Sequence, residues 1–267
     1  MKELTFNLLI ADHYLQINTF NEGLFRSFHQ WPQVEITNPN NCLGIISIHN
    51  YENDFPEQSD GPIIRWDGKI CHYSCFGCEG MIEPENTAIL KINSQARFQD
   101  IEYFIRVVTA VRIFNIGGIM VHAAGIEKDG FGFLFTGYSG AGKTTVCRVS
   151  TGQKILNDDL VILNFSDNGW NIYSTPFTNP TQVKPTSGKS PLHMILHLKQ
   201  ARIHQLTDVP NSKAVADLLS HCPVISISSV LLPELISRCS KIIGHTSVKE
   251  LLFLPDKGFW ELLIGAT

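Results

Sequence analysis

Residues Gly137 to Thr145 read GYSGAGKTT, and they restrict what this chain can fold into more than any other stretch. Gly137-Tyr138-Ser139-Gly140-Ala141-Gly142-Lys143-Thr144 fits the phosphate-loop spacing G-x-x-x-x-G-K-[ST]. Glycines adopt backbone conformations closed to other residues, so successive N–H groups can turn inward around phosphate oxygens. Lys143 is then placed for the β- and γ-phosphates, and the Thr144 hydroxyl for a magnesium ion. Nucleotide contacts are expected from Gly137, Ser139, Gly140, Ala141, Gly142, Lys143, Thr144 and Thr145. The context has the required order. Phe131 to Thr136 (FGFLFT) reads as a buried strand leading into the loop. From Thr144 the chain can start a helix, whose N-terminus also favours an anion. The competing reading is a Gly/Ser turn with an incidental lysine, and it leaves that order unexplained.

With 267 residues the chain can hold one large domain or two small ones. A formal charge of −4 argues against broad electrostatic binding of nucleic acid or of an anionic membrane. Phe6 to Ile10 is too short for a secretory apolar core, and the seven cysteines are odd in number. Reduced thiols in a cytoplasmic protein are the expectation. The longest apolar candidate for a membrane span, Phe104 to Ile126, is interrupted by Arg106, Arg112 and His122.

Residues 1–98 read as a smaller, mostly β subdomain. Leu4 to Leu8, Cys42 to Ile48 and Ala88 to Ile92 are strand-like, and Ile63 to Phe76 forms a hairpin about Asp67-Gly68. Asn38 to Asn41 and Asn50 to Pro62 are loop-like. Residues 99–267 carry the nucleotide-binding pattern. Asp100 can cap a helix from Ile101, with Ile101, Phe104, Ile105, Val108 and Val111 on one face and Gly117-Gly118 as its stop. Ile119 to Ile126 reads as one strand, Lys128 to Gly130 and Asp167 to Gly169 as turns, and Thr175 to Pro191 as a long loop. Met194 to Leu198 reads as a strand, Ser212 to Ser220 as a helix and Ser247 to Leu254 as a last short element.

Asp158-Asp159 lies inside the apolar run Ile155 to Leu163. A nucleotide site needs a carboxylate for magnesium, and transfer to an alcohol needs a base for the hydroxyl proton. Adjacent carboxylates bounded by strand residues can point to different sides and divide those tasks; a solvated Asp-Asp turn is the plainer reading of the pair alone, but the phosphate loop just before it favours the functional one. His122 precedes the loop strand, and its residue type leaves a hydrogen-bonded strand residue and a site residue both open. Cys71, Cys75 and Cys78 have a C-x3-C-x2-C spacing, which with His72 could hold a metal. Burial of small thiols in a hairpin is the favoured reading.

From about Asp100 onward the chain resembles the HPr kinase/phosphorylase superfamily, especially its smaller HPr-kinase-like relatives. The resemblance rests on Val121-His122-Ala123-Ala124-Gly125, then GYSGAGKTT, then Asn157-Asp158-Asp159-Leu160-Val161. It implies a phosphate-loop fold shared with ATP-type phosphoenolpyruvate carboxykinases, and transfer of a phosphoryl group from ATP to a serine hydroxyl with Mg²⁺. By position, Lys143 and Thr144 would hold phosphates and magnesium, and His122 would lie beside the transferred group. Family order implies Asp158 as base and Asp159 as the magnesium-side carboxylate. The Glu-Arg-Gly signature of full HPr kinases has no counterpart beyond the aspartates. The implied acceptor is therefore a serine in a peptide or another small protein, and the hexamers of full HPr kinases make a homo-oligomer one expectation. The alternative is a nucleotide-binding regulatory or partner module without kinase activity.

Overall fold

The computed structural model describes residues 2–29, 31, 34–35, 41–55, 59, 61–166, 169–177 and 183–264. The chain is mixed α/β, strands predominating, with two sheets in two compact units. One unit comprises Met1–Ile116 with Ile227–Leu232, the other Gly117–Ser226 with Pro233–Thr267. Among the described residues no helix is long and apolar enough to cross a membrane.

The first unit holds β1 (Leu4–Ile10), β2 (His13–Thr19), α1 (Glu22–Phe28), β3 (Val34–Glu35), β4 (Cys42–Asn50), β5 (Ile63–Asp67), β6 (Ile70–Cys75), β7 (Cys78–Ile82), β8 (Thr87–Ile92) and α2 (Phe98–Asn115). Its sheet runs β3-β1-β2-β4-β8-β7-β6-β5, parallel at β2/β4 and β4/β8 and antiparallel elsewhere. The expected hairpin forms, with Asp67 opposite Ile70 and Gly68 at φ 57°, so its centre is Gly68-Lys69, one residue later than expected. Alternation along β6 buries Cys71, Tyr73 and Cys75 and leaves His72 exposed.

The helix expected from Ile101 starts earlier, at Phe98. Asp100 does not cap it; it sits in the first turn, where Arg97 Nε donates to its carboxylate at 2.7 Å and the Cys75 thiol at 3.2 Å. Ile101, Phe104, Ile105, Val108 and Val111 are all buried. Buried Arg112 donates to the carbonyls of Glu83 and Thr87, both at 2.8 Å. The close approach is visible at Gly80, where a Cβ would lie 2.5 Å from the Phe104 ring. These contacts place α2 in the first unit, so the division falls at 116/117 rather than at the expected 98/99.

The second unit holds β9 (Ile119–His122), β10 (Ala124–Lys128), β11 (Phe131–Thr136), α3 (Lys143–Val149), β12 (Lys154–Asn157), β13 (Leu160–Ser166), β14 (Gly169–Tyr173), β15 (Lys189–Gln200), β16 (Gln205–Asp208), α4 (Asn211–Ser220), α5 (Leu232–Gly244, from Pro233 onward in this unit), β17 (Ser247–Phe253) and α6 (Phe259–Ile264). The path β12-β10-β11-β15-β14-β13-β9 is extended by β17 on β15 and β16 on β17. The stretch Ile119 to Ile126 is two strands, not one. β9 pairs with β13, whereas β10 pairs with β11 and β12, so the chain changes neighbours at Ala123. Asp129 and Gly130, both at positive φ, turn β10 into β11. One core cluster includes Phe133, Phe135, Val146, Cys147, Leu196, Phe253, Phe259 and Trp260. It anchors both the strand entering the glycine loop and the helix leaving it. Asn38 to Asn40, residues 56–58 and 60, Asp167-Asn168 and residues 178–182 of the expected turns and loops lie outside the described residues.

Candidate functional site

Strand register brings the separated motifs to one end of the second sheet. β11 ends at Thr136, with Phe135 opposite Ala124 of the antiparallel β10. Gly125 faces Asn157, the last residue of β12. His122, at the end of β9, faces Leu160 of β13, beside the aspartate pair. β15 is parallel to β11 and carries Gln200 to the same end. The result is a cavity of about 280 Å³ lined by His122, the glycine loop, Asp158, Asp159 and Gln200.

The loop conformation depends on particular glycines. Gly142 has φ 114°, and a Cβ there would lie 2.4 Å from the ring of Phe253, itself buried in the core. Gly137 has φ 150°, and a Cβ would meet the Ala141 methyl at 2.7 Å. Gln200 Nε2 donates to the Gly140 carbonyl at 2.7 Å. α3 begins at Lys143, so its first-turn N–H groups have no intrahelical acceptor. Ser139, Gly140, Gly142, Lys143, Thr144 and Thr145 line the cavity. Gly137 and Ala141 serve the loop's shape instead.

Lys143 is 9% exposed, and its Nζ donates to the Gly137 carbonyl at 2.8 Å. Burial pulls its pKa down, and nearby Asp159 partly offsets this. A buried cation that rests on a neutral carbonyl is suited to an incoming anion.

The aspartates sit in a bend between β12 and β13, held by Asn157. Its Oδ1 accepts from the N–H groups of Asp159 and Leu160 at 2.8 and 3.1 Å; its Nδ2 donates to the carbonyls of Thr175 and Phe177. The two carboxylates then diverge. Asp158 is 2% exposed; its Oδ2 accepts from the Val183 N–H at 3.2 Å, and the nearby Thr144 side chain opposes the rise in its pKa. Its Oδ1 is buried with no hydrogen-bond partner among the described residues. Burial raises its pKa above the usual carboxylate range. Asp159 Oδ1 lies 2.9 Å from Nε2 of His122, whose side chain is 46% exposed. An unpartnered carboxylate oxygen next to the Thr144 hydroxyl is a donor set that suits magnesium. The accessible pair is Asp159 with His122.

Of the residues expected from sequence, His122, Lys143, Asp158, Asp159 and the loop come together. Gln200 and Asn157 were not among the expected site residues. Gln200 belongs to no motif; an Asn two residues before Asp159 is a recognisable Asx-turn signal. Cys71, Cys75 and Cys78 lie in the first unit. Burial pushes the Cys71 and Cys78 thiols up to about 12, and alternation sends His72 to the opposite face. Among the described residues no group of three or more His, Cys, Asp or Glu could hold a metal ion. No protein-family model matches the chain, and no curated protein matches it.

Proposed function

We propose that this chain is a kinase that binds ATP at Gly137–Thr145 and transfers the γ-phosphoryl group to a serine hydroxyl of a peptide or small protein. The observation that carries this reading is the convergence of the glycine loop, buried Lys143 and the Asp158, Asp159 and His122 side chains around one cavity. A site for nucleotide binding alone needs the loop and Lys143. An accessible Asp159–His122 pair at the same cavity adds a candidate proton acceptor.

Lys143 and the loop amides would neutralise and orient the phosphates, which supplies most of what phosphoryl transfer needs from a protein. Thr144 and Asp158 would hold Mg²⁺, which when bound neutralises charge on the phosphate oxygens. Asp159 would take the proton of the acceptor hydroxyl as its oxygen bonds to the γ-phosphorus and the nucleoside diphosphate leaves. His122 would hold the Asp159 carboxylate in position. This division reverses the one implied by family order, because a base must reach an incoming acceptor and Asp158 is the buried member of the pair.

The test is incubation of purified protein with Mg²⁺ and γ-labelled ATP and a library of serine-containing peptides. Label is expected on serine and absent with Lys143→Ala. Unchanged ATP affinity in Lys143→Ala would overturn the loop assignment. Tight binding by the wild type with no acceptor labelled would favour the regulatory module.

A further inference from the structure

His221 lies outside the cavity lining yet touches two parts of the site. It is 6% exposed, immediately after α4. Its Nε2 is 3.1 Å from the Gly137 nitrogen, whose N–H can only donate. Its Nδ1 is 2.6 Å from the Asp217 carbonyl oxygen, which can only accept. Both partners demand one state of the ring: neutral, with the proton on Nδ1 and the lone pair on Nε2. The His221 carbonyl also accepts from the His122 N–H at 2.8 Å.

Gly137 is thus held at both ends of its peptide units. His221 takes its N–H, and Lys143 Nζ donates to its carbonyl at 2.8 Å. Rotation of Gly137 would move the acceptor on which Lys143 rests and the first bend of the loop. A glycine at φ 150° has little steric restraint of its own, so an external acceptor must supply it. Tyr138 lies beside the ring, with centroids 6.4 Å apart.

We propose that His221 is a positioning residue for nucleotide binding: its Nε2 fixes Gly137, and through Gly137 the loop entry and Lys143. The proposal rests on the reading of this cavity as an ATP site. His221 acts through Gly137 and touches no reacting atom.

The experiment compares Mg-ATP affinity by titration calorimetry in full-length wild type, His221→Gln and His221→Asn. The two variants carry the same amide at different reach. Glutamine can present Oε1 where Nε2 stood; asparagine replaces only the Nδ1 side. Losing the acceptor leaves a buried N–H unpaired, so His221→Asn should bind roughly tenfold more weakly. His221→Gln should remain within about threefold of wild type, since the bond is kept. Thermal melts accompany both: a purely structural role would lower both melting temperatures and leave affinity unchanged. Equal affinity of the variants, or wild-type affinity in His221→Asn, overturns the proposal while the ATP reading stands. Failure of the wild type to bind Mg-ATP overturns the ATP reading itself.

Discussion

At the scale of single residues, the aspartates are neighbours with different surroundings. Asp158 is buried against Thr144, whereas Asp159 meets the half-exposed His122. Asp159→Asn should leave Mg-ATP affinity nearly unchanged and slow transfer by about 10²–10⁴-fold, the usual range for a general base. Asp158→Asn should raise the magnesium concentration needed for binding. Affinity measured across a magnesium series, beside transfer rates, distinguishes them; swapped phenotypes would restore the order implied by the family. The raised pKa of Asp158 has its own sign. Between the unfolded value of about 3.9 and the raised folded value, the native state holds more protons, so stability falls as pH rises through that window. Without metal or nucleotide, Asp158→Asn should therefore melt above wild type at neutral pH. The difference should vanish below about pH 4, where both states are protonated. A wild type more stable at neutral pH than the variant would contradict burial as the dominant cause.

Elements decide which of these residues could be read from sequence. Gly137 to Thr145 was legible because its chemistry is local: glycines, a lysine and a hydroxyl at fixed offsets. Phe131 to Thr136 was legible by its apolar run. His122 stayed ambiguous because its role comes from register, and only the pairing of β9 with β13 sets it beside Asp159. Gln200 and His221 approach the loop from 60 and 84 residues away, a separation that no periodicity encodes. The strand change at Ala123 was hidden within a continuous apolar run, since apolar alternation is the same whichever neighbour a strand takes. Helix α5 carries no short motif, and its sequence signal is only the helical spacing of buried Leu235, Cys239, Ile242 and Ile243. The Asn157 bend is the element-scale device that holds the carboxylates apart. Asn157→Ala removes an acceptor shared by two N–H groups and a donor to two carbonyls. It should cost about 2–4 kcal/mol of stability by leaving buried polar groups unpaired. It should also slow transfer, because both carboxylates lose their fixed directions. Chemical denaturation and transfer rates check this; wild-type values in both would show that the bend holds itself.

Across the whole molecule, the candidate chemistry is confined to one of the two units. His122, the loop, both aspartates, Gln200 and His221 all belong to Gly117–Ser226. The first unit has its own sheet and its own buried polar network: Tyr73 donates to the Asp100 carbonyl at 2.8 Å, Cys75 to its carboxylate, and Arg112 to Glu83 and Thr87. Cys75 belongs to that network and faces Cys78 across a hairpin, and burial raises the pKa values of both thiols. Replacing Cys71, Cys75 and Cys78 together with serine puts more polar hydroxyls into apolar surroundings. It should lower stability by about 1–3 kcal/mol for each hydroxyl left unpaired. Mg-ATP affinity of the folded protein should stay at the wild-type value, because no atom of the cavity changes. The measurements are thermal melting, calorimetric ATP affinity and metal content of both proteins as purified. A stoichiometric metal in the wild type that is lost from the variant would make the thiols ligands rather than core. A large fall in ATP affinity at unchanged stability would mean that the first unit contributes to the nucleotide site.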